Sequence, residues 1–143
     1  MARVDISYSG NPVFKDQIVI RVTDLSPAGH VGFDSYVSIL NDAATRFFQS
    51  QGVKRSADNP VGVLFADLAV IYRSEAFYGD TLNIEAAIED IKSKGFDLVF
   101  RITSQSNGKE IALAKIGTLF YDYANEKVVP IPENLQYVTK QNI

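Results

Sequence analysis

The stretch Asp24-Leu25-Ser26-Pro27-Ala28-Gly29-His30-Val31-Gly32-Phe33-Asp34, continuing through Ser50, decides the fold of this chain. Its first part is a turn. Pro27 fixes one backbone dihedral and Gly29 accepts conformations closed to other residues, so together they support a sharp change of direction. The second part is periodic: Tyr36, Leu40, Ala43 and Phe47 recur at spacings of three and four, and Ile39 and Phe48 widen the apolar stripe. The pattern predicts a helix from about Asp34 to Ser50, with Gly52 just past its end in a position suited to a C-cap. It is the one long helix that the sequence predicts.

On either side the period changes from about 3.6 to 2. Phe14 to Asp24 reads as a strand in which β-branched Val19, Ile20 and Val22 interleave with polar residues. Beyond a polar loop at Lys54 to Pro60, strands are expected at Leu64–Glu75, Thr81–Ile91, Phe96–Ser104 and Ile111–Tyr123. In the first of these, Leu68, Val70 and Tyr72 share a face. Tyr78-Gly79-Asp80, Ser93-Lys94-Gly95 and Ser106-Asn107-Gly108-Lys109 separate the runs, and Asn-Gly between alternating segments is a strong hairpin signal. One strand, one helix and then four antiparallel strands is an α+β order. The tail from Val129 to Ile143, with Pro130 and Pro132, reads as an extended segment, and the start of the chain as a polar arm.

With 143 residues, 46% hydrophobic and 22% charged, the chain is expected to form a single domain over 1–143, its core spanning about 14–132. A net charge of -3 speaks against nucleic acid, whose phosphates call for a basic face. The absence of cysteine excludes disulfides, thiolate metal sites and a cysteine nucleophile. No apolar run suits a signal peptide or a membrane span, so the expected location is the cytoplasm, with no membrane partner. A single helix covers only one face of a five-stranded sheet. Leu98-Val99-Phe100 and Leu119-Phe120-Tyr121 are apolar on both sides of the alternation, so the second face or an open edge needs a partner. A homodimer is the economical answer.

The residues at Asp24–Asp34, with Asn41-Asp42-Ala43-Ala44-Thr45-Arg46-Phe47 in the helix, resemble the hotdog-fold thioesterases, including the broad 4-hydroxybenzoyl-CoA thioesterase-like group. Two further stretches carry the likeness: Val70-Ile71-Tyr72 through Tyr78-Gly79-Asp80-Thr81-Leu82, and Gly95-Phe96-Asp97 with Ala112 to Tyr121. It runs from about Phe14 to Pro132. The resemblance implies a five-stranded curved antiparallel sheet wrapped around one long helix. It also implies a homodimer or dimer of dimers with its active site at the interface, and hydrolysis of a thioester, usually of acyl-CoA. No metal and no cofactor are implied, since CoA enters as part of the substrate. The chain departs from the family at Ser26, where many members carry a catalytic aspartate three residues before the glycine, and at Phe33, where asparagine is frequent.

Thioester hydrolysis needs donors for the oxyanion and a base or nucleophile for the attack. Backbone N–H groups around Gly29 to Gly32, beside a helix start, are candidate donors, and both glycines equally suit the turn itself. Asp34 reads either as a base that orients water or as the helix N-cap. Asp42 is the first choice of catalytic carboxylate, a choice the resemblance favours. Exposed instead, it would be a solvated residue paired with Arg46 one turn on. His30 is the only histidine, so no serine triad forms without it, and a zinc site is disfavoured. It could polarise the carbonyl, hold the water or serve the turn alone. Asn41, Asp67 and Tyr72 are the remaining substrate-binding candidates. Ser26 also supports a rival reading, a catalytically silent module that binds acyl-CoA or acyl carrier protein. A dehydratase and a purely structural assembly domain are more distant rivals.

Overall fold

The computed structural model describes residues 3–140. Strand β1 (Phe14–Val19) and a single 3₁₀ turn (Val22–Asp24) precede helix α1 (Phe33–Ser50). Strands β2 (Val61–Tyr72), β3 (Thr81–Glu89), β4 (Gly95–Ser104), β5 (Glu110–Asp122) and β6 (Lys127–Val129) follow, and helix α2 (Glu133–Lys140) closes the described chain. The strands form one antiparallel sheet in the order β1-β3-β4-β5-β2, with short β6 paired to the end of β5. This is the hotdog arrangement, an α+β sheet laid against one main helix.

Why the helix sits where it does follows from its stripe. Tyr36, Leu40, Ala43, Ala44, Phe47 and Phe48 are all buried. They meet the inward residues of the central strands, Leu82, Ile84 and Ala86 on β3 and Leu98, Phe100 and Ile102 on β4. Phe48 anchors one end: its ring stacks on Phe96 and meets Phe120 edge-on, with both centroids 6.0 Å away. Each such ring pair adds about 0.5–1.5 kcal/mol beyond the area it buries. The helix ends at Gly52, whose φ of +77° lets its N–H reach Gln49 O while Val53 N–H reaches Phe48 O.

Three expectations change. The first strand stops at Val19, because the Asp24 carboxylate accepts the Arg21 N–H at 2.8 Å and pulls residues 21–24 into a turn. The segment after Pro132 is a helix rather than an extended tail, held by the fully buried Leu135. Residues 141–143 of the expected tail lie outside the described chain. The polar arm at the start is also packed: Ile6 is buried against Val99 and Leu113 on the outer face of the sheet, and the Tyr8 hydroxyl donates to Glu85. Part of the second face is thus covered by the chain itself.

The edge strand β2 remains open. It carries a bulge at Ala66, between Phe65 and Asp67, so Phe65 before it and Leu68 and Val70 after it all turn toward the helix side. Leu64, Leu68 and Tyr72 on β2 and Phe33 and Val37 on α1 stay exposed. No helix among the described residues is long and apolar enough to cross a membrane.

Candidate active site at the start of the helix

The turn that enters α1 satisfies most of its own backbone. Ser26 N–H donates to His30 O, Gly29 N–H to Ser26 O, Val31 N–H to Ala76 O and Gly32 N–H to Asp24 O. Gly29 holds a φ of +86°, which this closure requires. Of the expected donors from Gly29 to Gly32, those of Gly29, Val31 and Gly32 are therefore occupied, and the His30 N–H finds no acceptor among the described residues. The amides of Phe33 and Asp34 come next, and they find no acceptor among the described residues. A helix leaves its first N–H groups unpaired, and their dipoles favour negative charge beside them.

Gly32, not Asp34, is the N-cap, and it makes no side-chain cap. Asp34 thereby falls on the second helical position. Its Oδ1 lies over Gly32, 2.6 Å from where a Cβ on that residue would sit. The Ser26 Cβ is 3.5 Å from the same point, so the carboxylate oxygen and Ser26 are within about 6 Å of one another. Gly32 is needed here for space, its φ of -71° being open to any residue.

Beside this carboxylate stands Tyr72, which packs on Tyr36. The Tyr72 hydroxyl donates to Phe33 O at 2.9 Å and ties the end of β2 to the first residue of α1. Its ring lies 5.4 Å from that of Tyr36. Burial, and then the charge of Asp34, raises the Tyr72 pKa. Tyr36 is buried with no hydrogen-bond partner for its hydroxyl among the described residues, and burial pushes its pKa up to about 12. The His30 Nδ1 lies 3.1 Å from Val31 O, which assigns the proton to that nitrogen. Its Nε2 lies 3.8 Å from a Glu75 oxygen.

From this end a groove of about 320 Å³ runs between α1 and β2. Val37, Ser38 and Asn41 line its helix side, and Phe65, Ala66 and Leu68 its strand side. Asp67 stands at the rim, but its carboxylate is engaged: Oδ1 takes the Lys115 ammonium at 2.9 Å and the Gly117 N–H at 3.1 Å. The Lys115 hydrogen bond holds the Asp67 pKa below the usual carboxylate range, against the opposing pull of burial.

Asp42 lies elsewhere. One residue along a helix is about 100° of rotation, and that carries Asp42 from the Asn41 flank to the flank facing β1. There it is exposed, takes Arg46 at 2.9 Å and lines a separate cleft with Ile18, Arg21 and Asp24. Arg46 also pairs with Asp16 on β1. The fold thus brings Gly32, Asp34 and Tyr72 together, with His30 in the turn that leads into them. It places Asn41 and Asp67 further along the same seam and leaves Asp42 outside it. Sequence reading missed Phe33, Val37 and Ser38. The spacing of 34, 37, 38 and 41 along one helix flank was the available signal.

Residues 20–138 match the Thioesterase-like superfamily. None of the curated proteins matches the chain. Among solved structures, a 1,4-dihydroxy-2-naphthoyl-CoA thioesterase from Synechocystis is similar, with 16% identity, a TM-score of 0.78, and 87% of this chain and 93% of that one covered. The protein SAV2348 from Staphylococcus aureus, solved in complex with CoA, has 18% identity and a TM-score of 0.83 over 90% of this chain and 82% of its own. A gentisyl-coenzyme A thioesterase has 21% identity and a TM-score of 0.75 over 86% and 99%. At these identities the likeness establishes the fold.

Proposed function

The chain belongs to the thioesterase-like superfamily, and we propose that it hydrolyses the thioester of an acyl-CoA to free acid and CoA at the first turn of α1. The observation that carries this reading is the Asp34 carboxylate, poised over Gly32 beside two unpaired amides and one helical turn before Val37, the first helix residue to line an apolar groove. The thioester carbonyl oxygen takes hydrogen bonds from the Phe33 and Asp34 amides. Asp34 accepts a proton from a water molecule as that water adds to the carbonyl carbon. The tetrahedral intermediate collapses by breaking the carbon–sulfur bond, and the departing thiolate takes the proton back. Tyr72 fixes the helix start against β2, and His30 holds the entering turn through Val31.

Many relatives in the resembling group carry their catalytic aspartate where this chain has Ser26. Because the Asp34 oxygen lies within about 6 Å of Ser26, the helix delivers a carboxylate to the neighbourhood that the loop serves in those proteins. The reading needs no cofactor. A second copy paired along β2 would cover the exposed Leu64, Leu68 and Val37, and a homodimer forms part of the proposal. The neighbours that act on dihydroxynaphthoyl-CoA and gentisyl-CoA make aromatic acyl groups the first to try.

The test is hydrolysis of a panel of aromatic and aliphatic acyl-CoAs by the parent, Asp34→Asn and Asp42→Asn. Loss of turnover in Asp34→Asn alone supports the assignment, whereas loss in Asp42→Asn alone overturns it. Ser26 favours the silent binding module as a second reading. Acyl-CoA binding without turnover of any substrate would select it.

A further inference from the structure

Strand β2 changes face at its bulge. Phe65 pairs with Thr118 and Asp67 with Gly117, so Ala66 has no partner on β5. Side chains alternate along a strand, and one extra residue turns all that follow it to the opposite face. Before the bulge, Val63 and Phe65 pack on the core under α1. After it, the odd-numbered Ala69 and Ile71 pack on the outer face against Ile6, Val99 and Leu113. The even-numbered Leu68 lines the groove, Val70 joins the core, and the Tyr72 hydroxyl reaches Phe33 O. Without the extra residue Tyr72 would point away from the helix, and Asp67 would point toward it.

A bulge interrupts the ladder of hydrogen bonds, and here a side chain supplies an acceptor at the interruption. The Gly117 N–H donates to Asp67 Oδ1 at 3.1 Å, and the Lys115 ammonium meets the same oxygen at 2.9 Å. Gly117 makes room for that bond: a Cβ there would collide with Oδ1 and lie 3.0 Å from the Asp67 Cγ. We propose that Asp67 is a positioning residue for the reaction at the helix start, pinning the bulge so that β2 presents Leu68 and Tyr72 to α1. It acts in two ways. Its oxygen holds the Gly117 N–H, and its polar group opposes the unbulged register, which would turn it toward the apolar side of the sheet. The assignment rests on the hydrolase reading above and gives Asp67 a part that needs no contact with substrate.

Asp67 is exposed, so its variants should keep the global fold, as a thermal melt checks. Asp67→Ala should lower kcat for acyl-CoA hydrolysis about tenfold, because the tie at Tyr72 loosens. Adding Tyr72→Phe to Asp67→Ala should cost less than Tyr72→Phe costs the parent, since both act through that tie. Asp67→Asn keeps the acceptor without the charge and should stay within about threefold of the parent rate. Gly117→Ala pushes the carboxylate off its donor, so it should match Asp67→Ala. Hydrogen exchange gives a readout independent of turnover: the amides of residues 68–72 should exchange about tenfold faster in Asp67→Ala, and near the parent's rate in Asp67→Asn. A parent-like kcat in Asp67→Ala overturns the proposal, and so does unchanged exchange in that variant, with or without turnover. An Asp67→Asn as slow as Asp67→Ala overturns it too, because the charge rather than the pin would then matter. The expected exchange pattern in a protein that turns over no substrate upholds the pin and removes the hydrolase reading instead.

Discussion

A methyl group added at Gly32 separates the site from the fold. The backbone there, at φ -71° and ψ 150°, suits alanine as well as glycine. Exchanging glycine for alanine at an N-cap costs about 0.5–1 kcal/mol. The reduced freedom of the unfolded chain returns about 0.4–1 kcal/mol. The two nearly cancel, so the melting temperature of Gly32→Ala should stay within about 3 °C of the parent. The new Cβ meets one thing closely, the Asp34 Oδ1 at 2.6 Å, with Ser26 Cβ at an ordinary 3.5 Å. Restoring ordinary contact at 3.4 Å pushes the carboxylate off by about 0.8 Å. A displacement of that size at a reacting group costs on the order of 100-fold in rate, or about 2.7 kcal/mol of barrier. Acyl-CoA hydrolysis and a thermal melt on the same preparation decide the matter. Because both substitutions act on one carboxylate, the double variant with Asp34→Asn should be no slower than Asp34→Asn alone. Full activity in a normally folded Gly32→Ala would refute the placement of the base at Asp34.

Asp42→Asn should leave kcat unchanged and cost only about 0.2–0.5 kcal/mol in urea unfolding, because its pair with Arg46 is largely solvated. Leu135→Ala should cost about 2–4 kcal/mol, since the side chain is fully buried. A loss below about 1 kcal/mol would mean that α2 is not docked in solution. The Asp24 carboxylate gives a pH signature: burial raises its pKa, but the hydrogen bonds and charge of Arg21 outweigh that and hold it below 3.8. A folded pKa below the unfolded one stabilises at higher pH. That contribution is present above about pH 4 and is lost as the pH falls through the folded value. The urea midpoint should drop below pH 4, and Asp24→Asn should lack that part of the drop.

The elements that locate the site were readable because each depends on a local rule. The stripe from Tyr36 to Phe48 is helical by its spacing alone, and the glycine turns between β2 and β5 mark their own strands. What escaped depends on distant partners. Nothing local tells that Leu135 finds a pocket, or that Ile6 reaches Val99 and Leu113 across the sheet. The first choice of carboxylate illustrates the limit. Asp42 and Asn41 are neighbours in sequence, yet the helix turns them to different flanks, one toward β1 and the other toward the open β2 edge. Resemblance favoured Asp42 because an acid recurs there, and only packing against β2 tells that the groove lies on the flank of Val37 and Asn41. The bulge at Ala66 was invisible for a similar reason: only the register against β5 reveals that β2 skips a residue.

The open edge and the candidate site are one surface, and this bears on why so short a chain would need a second copy. β2 is twelve residues long and, among the described residues, has no strand on its outer side. Its exposed Leu68 and Tyr72 continue onto Phe33 and Val37 of α1. An edge of that length with apolar side chains invites pairing, and a two-fold axis satisfies both copies at once. Such pairing would also roof the groove. With water excluded, the Asp34 charge and the two free amides would act in a lower dielectric, where electrostatic contributions grow several-fold. The residues that make the isolated chain sticky are thus the ones that would make its carboxylate effective, so selection for assembly and selection for catalysis would act on the same few positions.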